Sequence, residues 1–294
     1  MSAHAVTTTL VNPFAPFDMA LQAAFEANVA LALAEDIGDG DRTGLLVPQH
    51  ERVQARVLVR EAAVLCGAPW FEAVMGTLDA TIRIEWRHGE GDRMAADSIV
   101  CMIDAPARAL LTAERSALNF LQLLSGVASA TRKYVDVVAG TRAAILDTRK
   151  TLPGLRLAQK YAVRVGGGQN QRLALYDGIL IKENHIAAAG GIAQAMAAAH
   201  ALQGGVPIQI EVESIDQLQQ ALDAGAVSIL LDNFELQAMR DAVARTAGRA
   251  VLEASGGINM HTVRAIAETG VDRISIGSLT KDVRATDYSL RIIG

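Results

Sequence analysis

The cations of this sequence are unevenly placed. Arg149, Lys150, Arg156, Lys160, Arg164, Arg172 and Lys182 fall within one stretch of a chain whose formal net charge is -5. Arg156, Lys160 and Arg164 recur at helical spacing and read as a solvated helix face. Arg149, Lys150, Arg172 and Lys182 instead flank the ends of short apolar runs, where they could converge on an anion. Arg grips a carboxylate through two parallel N–H donors and Lys acts as a point charge, which suits a ligand bearing several carboxylates or phosphates. Further on, Glu211 and Asp232 end two successive apolar runs. With a phosphorylated ligand they could hold ribose hydroxyls or a magnesium ion bridging phosphate oxygens, because magnesium needs few protein ligands. Ser255-Gly256-Gly257 and Gly277-Ser278 end two more runs. Small residues there let phosphate oxygens approach backbone N–H groups, and a helix starting near Asn259 would add its positive N-terminal dipole. Glu213 shares the parity of Glu211 but lies further out and reads as solvated. No two histidines stand at i, i+4, which argues against a histidine-rich metal site, and His185 reads as structural.

Residues of this kind must be carried by a repeating scaffold. Beyond Gly140 the runs AAILDTRK, YDGILIKENH, PIQIEVES, AVSILLDNF, AVLEASGG and DRISIGS are each followed by a helical stretch, as in successive βα units. Ser214 with Gln217 is a capping-box pattern, Asn233 and Asn259 read as N-caps, and Gly225, Gly248 and Gly270 stand where helices should stop. Such a series points to an α/β barrel, an incomplete one included, although regular repeats alone do not separate a barrel from a doubly wound sheet. In barrels the active site forms at the C-terminal strand ends. Period-two alternation then selects Leu180 and Lys182, Gln209 and Glu211, Leu230 and Asp232, Glu253 and Ser255, and Ser275 and Gly277 as the inward set. A packed barrel interior favours Val, Ile and Leu, so a polar set of this kind points to an enzyme rather than to a ring of mutually satisfied side chains.

The first half has another rhythm. DMALQAAFEANVALALAEDIG, from Asp18 to Gly38, shows helical periodicity, and residues 53 to 104 hold short alternating runs that read as a small antiparallel sheet. After Pro106 a long helical pattern, interrupted near Ser125-Gly126 and ending at Gly140, connects the halves. The expected organisation is a loose tail over 1–17, an N-terminal domain of helix and antiparallel sheet over 18–125 and a C-terminal barrel domain over 126–294, whose last residues return to the first domain. The acidic balance gives no global attraction to nucleic acid or to an anionic membrane. Cys66 and Cys101 form no C-x-x-C pair, so a disulfide framework or zinc site is not expected. The opening residues lack a secretory pattern and no apolar run reaches about 18 residues, which reads as a soluble cytoplasmic protein.

The block LDTRKTLPGLRLAQKYAVRVGGGQNQRL, followed by LIKENH, LLDNFE, EASGGI and ISIGSLTK, resembles quinolinate phosphoribosyltransferase, and ERSALNFLQLLSGVAS extends the likeness over nearly the whole chain. The resemblance implies an N-terminal α/β sandwich, an incomplete C-terminal α/β barrel, and dimers or dimer-based hexamers whose sites borrow residues from the neighbouring subunit. It implies that Thr148, Arg149, Lys150, Arg172 and Lys182 line a pocket for quinolinate and phosphoribosyl pyrophosphate, with Arg115 contributed across the dimer interface. Glu211 and Asp232 would lie near the ribose and magnesium, and Ser255, Gly256 and Gly277 would form the phosphate loops. Many relatives have Asn-His-Arg where this chain has Asn170-Gln171-Arg172, so an obligatory acid–base role does not carry over to Gln171. The implied reaction is phosphoribosyl transfer with decarboxylation, giving nicotinate mononucleotide, pyrophosphate and carbon dioxide in NAD biosynthesis. Rival readings are a molybdenum-locus relative of the same family, a Schiff-base aldolase using Lys182, and a barrel that binds without turnover.

Overall fold

The computed structural model describes residues 9–202 and 204–293. In chain order its first elements are α1 (Met19–Ile37), β1 (Arg52–Val59), β2 (Ala63–Val64), α2 (Ala68–Leu78), β3 (Arg83–Trp86), β4 (Arg93–Met94), β5 (Ile99–Pro106) and α3 (Ala107–Val137). Then follow β6 (Ala144–Leu146), α4 (Arg156–Val165), β7 (Ile179–Ile181), α5 (Glu183–Ala189), α6 (Ile192–Ala201), β8 (Ile208–Val212) and α7 (Ile215–Asp223). The last are β9 (Ser228–Asp232), α8 (Leu236–Thr246), β10 (Val251–Ser255), α9 (Val263–Ala267), β11 (Arg273–Ser275), α10 (Ser278–Lys281) and β12 (Tyr288–Ile292). The described residues fall into two compact units, one within the ranges 9–130, 152–166 and 282–293, the other within 131–151, 167–202 and 204–281.

The first unit is an antiparallel sheet of order β12-β1-β5-β3 with helices packed on it. Its alternating strands bury Val57, Val59, Cys101 and Ile103 in a core that Trp70, Phe71 and Tyr161 fill. The tail is not loose over its described part: Phe14 and Phe17 set their rings against Tyr161, and Glu90 donates its N–H to Val11 O at 2.8 Å. Aromatic burial there outweighs the lack of sequence periodicity; residues 1–8 lie outside the described residues. The carboxyl of Glu90, only 2% exposed, accepts from the Gly67 and Ala68 N–H groups at the start of α2 and from the Tyr161 hydroxyl. Burial pushes it up to about 7 against those three donors.

Two expectations fail here for local reasons. The Ser125-Gly126 pair does not interrupt α3, which runs unbroken from Ala107 to Val137. A Cβ on Gly126 would stand 2.4 Å from Arg284 O, so this glycine permits close backbone approach rather than a break, and Ser125 Oγ bonds Cys66 and Tyr288. Nor is Lys160 part of a solvated face: it is 1% exposed and engaged by neighbours, because α4 is buried on more than one side through Ala158, Tyr161, Ala162 and Val165. Both cysteines are free and buried.

The second unit is a parallel sheet of order β6-β11-β10-β9-β8-β7. Among the described residues no ladder joins β6 to β7, so the barrel is incomplete; Gln169 alone bridges to Leu146 on the β6 edge. One face of its strands is apolar, with Ile210, Val212, Ile229, Leu231, Leu252 and Ala254 buried, while the other carries Gln209, Glu211, Asp232, Glu253 and Ser255. Ser214 caps α7 by accepting from Gln217 N, and Gly225, Gly248 and Gly270 follow their helices with positive φ. Asn233 is not an N-cap: it sits at φ 55°, and α8 starts at Leu236, with Glu235, two residues after Asn233, at its N-cap. Asn259 heads a turn, accepting from His261 N, and the five-residue α9 begins only at Val263. The expected dipole at Asn259 is therefore absent. No helix among the described residues is long and apolar enough to cross a membrane.

Candidate active site

Sheet order converts the polar strand ends into a ring. Going round from β6 to β7, the chain supplies Thr148 to Lys150, then Gly277 and Ser278, Ser255 to Gly257, Asp232, Glu211 and finally Lys182. Each falls just at or beyond a strand end, because inward positions recur every second residue.

Three groupings within this ring are close. After β6, Thr148 Oγ1 accepts from Lys150 N at 3.1 Å, and Thr280 Oγ1 donates to Lys150 O at 2.7 Å. A Cβ on Gly277 would lie 3.1 Å from Lys150 Cδ and 3.5 Å from Thr148 Oγ1, so the glycine leaves the lysine stem its path. At the other end of the sheet, Lys182 Nζ meets Glu211 Oε2 at 3.0 Å, the carboxylate side chain 9% exposed and the ammonium side chain 45%. Between them, Asp232 pairs in register with Ser255 and its Oδ2 accepts from Asn233 Nδ2 at 2.8 Å. Gly256 takes φ 101°, and a Cβ there would stand 2.1 Å from Asn233 Oδ1. Only glycine fits both the conformation and the space. Gly257, at φ 60°, meets nothing within 4 Å and leaves the loop open.

Other candidates lie elsewhere. Arg172 Nη1 donates to Gly178 O at 2.8 Å, and the residue lines a cavity of about 310 Å³ together with Gln171, Gln209, Glu253 and Arg273. Burial and then the nearby Arg149 lower the affinity of Arg172 for its proton, and Arg149 Nε is buried without a hydrogen-bond partner. Two neighbouring guanidinium groups favour an anion between or beside them. Arg115 is exposed on α3 in the other unit. His185 has a structural task, its Nδ1 accepting from Lys182 N in the capping box of α5. Glu213 is exposed, its N–H held by Gln217.

A layer that the rim reading did not single out lies one alternation step below. Asp147, wholly buried, accepts Gln171 N at Oδ1 and Asn170 Nδ2 at Oδ2. Gln171 Nε2 donates to Gln209 Oε1 at 2.7 Å, and Gln209 Nε2 donates to Glu253 Oε2 at 2.9 Å. Burial raises the Glu253 carboxyl above its ordinary range. The signal was present in the period-two pairs, where Gln209 and Glu253 precede Glu211 and Ser255 by two residues. Asp147 escaped because β6 is only three residues long.

Among the described residues no three His, Cys, Asp or Glu side chains cluster as a metal cage. Two carboxylates on adjacent strands, Glu211 and Asp232, fit a magnesium ion that takes its remaining ligands from a phosphorylated substrate and water. The arrangement as a whole offers cations at both ends of the ring, carboxylates between them and two glycine-lined backbone turns.

The chain matches the family models for the quinolinate phosphoribosyl transferase N-terminal domain over residues 41–125 and C-terminal domain over residues 127–291. It is 42% identical over 269 residues to the nicotinate-nucleotide pyrophosphorylase (carboxylating) of Mycobacterium leprae, covering 88% of this chain and 94% of that one. It is 39% identical over 259 residues to a probable nicotinate-nucleotide pyrophosphorylase (carboxylating) of Bacillus subtilis, covering 88% and 90%. The solved nicotinate-nucleotide pyrophosphorylase of Francisella tularensis superposes with a TM-score of 0.90 at 42% identity, over 92% of this chain and 96% of that one.

Proposed function

This chain belongs to the quinolinate phosphoribosyltransferase family, and we infer that it transfers phosphoribosyl from phosphoribosyl pyrophosphate to quinolinate with decarboxylation. The products are nicotinate mononucleotide, pyrophosphate and carbon dioxide, and the reaction is a step of NAD biosynthesis. One observation supports locating it at the rim: Lys150 beside Gly277 and Lys182 against Glu211 stand at opposite ends of a ring with the Gly256 turn between them.

The chemistry assigns work to each part. As pyrophosphate leaves the sugar carbon, positive charge builds on the ribose and negative charge on the leaving oxygens, so catalysis rests on positioning and electrostatics. Glu211 and Asp232 face the ribose, while Arg149, Lys150 and Lys182 receive the anionic groups. The backbone N–H groups of Ser255, Gly256, Gly257, Gly277 and Ser278 take phosphate oxygens. When bound, magnesium supplies charge neutralisation for pyrophosphate, held by Glu211 and Asp232. Attack by the pyridine nitrogen makes the ring cationic, and that ring accepts the electron pair left when the adjacent carboxylate departs as carbon dioxide. Thr148, Gln171 and Arg172 complete the substrate pocket. An ammonium already paired with a carboxylate is a poor amine nucleophile, which weighs against the aldolase alternative at Lys182.

The same reading makes the protein a cytoplasmic homodimer or dimer-based hexamer, with Arg115 reaching a quinolinate carboxylate in the neighbouring subunit's site. The deciding assay measures pyrophosphate release with quinolinate, nicotinate and nicotinamide in turn. Release with quinolinate alone is expected; release with nicotinate or nicotinamide but none with quinolinate would overturn the assignment.

A further inference from the structure

Below the rim, side chains from four segments form one hydrogen-bonded line. Asp147 Oδ1 holds the backbone N–H of Gln171 at 3.0 Å, Gln171 Nε2 reaches Gln209 Oε1 at 2.7 Å, and Gln209 Nε2 reaches Glu253 Oε2 at 2.9 Å. A carboxamide has two ends of nearly the same shape and opposite hydrogen-bonding character, so its direction is decided by what it meets. Here Glu253 is the deciding end. By accepting at Oε2 it turns the amide hydrogens of Gln209 towards itself and the oxygen of Gln209 towards Gln171. Gln171 must then offer its nitrogen to Gln209. Turning either amide alone would set oxygen against oxygen or N–H against N–H; turning both would set the oxygen of Gln209 against the Glu253 carboxylate.

The cost of Glu253 points the same way. Its residue is 1% exposed, and burial outweighs the hydrogen bonds that Gln209 and Ser275 give the carboxyl. A carboxyl held in the interior at that cost is unfavourable beside an apolar side chain of similar volume. Stability therefore does not account for the carboxyl; the direction it imposes does.

We propose that Glu253 is a positioning residue for quinolinate, acting through Gln209 to fix the orientation in which the Gln171 amide meets the substrate. The proposal rests on the reading of Gln171 as a substrate-facing residue. Glu253 touches no reacting atom; it sets the direction in which the Gln171 amide is held.

The test uses the full chain, with wild type, Glu253→Leu, Glu253→Gln, Gln209→Met, Gln171→Ala and the Glu253→Leu/Gln171→Ala double variant. Glu253→Leu should raise KM for quinolinate by about 5- to 10-fold, the range of one lost hydrogen bond. KM for phosphoribosyl pyrophosphate should hold within about twofold, while Tm should fall by the few degrees that leaving the buried Gln209 amide without its acceptor costs, and Glu253→Gln should restore it. Glu253→Gln, which keeps an acceptor, should recover most of the lost affinity. Gln209→Met cuts the same line at its middle and should reproduce the KM effect even if Glu253→Leu folds poorly. In the Gln171→Ala background Glu253→Leu should add nothing. An equal effect in both backgrounds, or a parallel rise in KM for both substrates, would mean that Glu253 only supports the fold and would overturn the proposal. A second readout needs no substrate: in ligand-free protein labelled with nitrogen-15, the side-chain amide pair of Gln171, identified by its loss in Gln171→Ala, should shift in Glu253→Leu and Gln209→Met. An unmoved signal in both overturns the proposal. A wild type that shows this coupling yet does not turn over quinolinate overturns the assigned reaction instead.

Discussion

Gly277 and Lys150 meet across two adjacent parallel strand ends, so closely that a methyl group on Gly277 would stand 3.1 Å from Lys150 Cδ. The lysine stem is thus guided by backbone while its side chain contributes little to any packed core. Lys150→Ala, and Arg149→Ala beside it, should each lower kcat/KM by at least about 100-fold, the scale of a lost charge-stabilising donor. Tm should move by no more than about 2 °C, as for a substitution outside the core. Near wild-type turnover in either variant removes that residue from the pocket.

Magnesium dependence follows from the carboxylate pair. Glu211 and Asp232 cannot enclose an ion by themselves, and no histidine or cysteine cluster supplements them among the described residues. Activity should therefore vanish in excess EDTA and return with added magnesium, without a change in the thermal transition of the ligand-free protein. Full turnover in EDTA would remove the ion from the reaction.

Glu90 predicts an effect on stability that has nothing to do with the site. Its carboxyl ordinarily titrates near 4.5 and is raised to about 7 when folded. The folded state therefore binds the proton more tightly than the unfolded chain. The contribution is fully present below about 4.5 and is lost as pH rises towards 7, amounting to about 3 kcal/mol. Urea midpoints of Glu90→Gln, measured at pH 5 and pH 7.5, should gain on wild type at the higher pH. A wild-type and variant difference that does not change with pH would show that Glu90 is not the titrating group.

Arg115 gives a test of assembly. Arg115→Ala and Lys150→Ala homodimers should each be nearly inactive if every site takes its arginine from the partner. In a mixed dimer one site carries both lesions and the other carries neither, so co-refolding should restore up to about half the wild-type activity per heterodimer. Subunit exchange demonstrated by mass, with no recovered turnover, would place Arg115 within its own chain's function or outside the site.

The parts of this molecule that were legible in the sequence are those governed by local periodicity. The six apolar runs ending in polar residues became β6 to β11, and alternation within them placed Lys182, Glu211, Asp232 and Ser255 on the ring. What escaped was decided by distant partners. Gly126 looked like a helix break until Arg284 O was found against it, and Lys160 looked solvated although its helix is covered on several sides. Arg172 belonged to the right segment, but its direction was set by Gly178 O, six residues away on the other side of a turn. The Gln209 and Glu253 layer was visible as alternation, while its hydrogen bonds required strands that are not neighbours in sequence.

The two-residue offset between rim and floor has a bearing on how such an enzyme can change. Lys182, Glu211, Asp232 and Ser255 stand at the strand ends, whereas Gln209 and Glu253 sit two residues before Glu211 and Ser255 on the same strands and bind one another across the interior. A substitution at the rim is felt by a neighbour on the same or the next strand, as Glu211 is by Lys182; a substitution on the floor is felt by the segments carrying Asp147, Gln171 and Gln209 together. Mutational drift, or a library built to admit a different pyridine acid, therefore meets two interleaved sets of codons on β8 and β10, one at the strand ends and one on the floor that is coupled through Gln209 and Glu253.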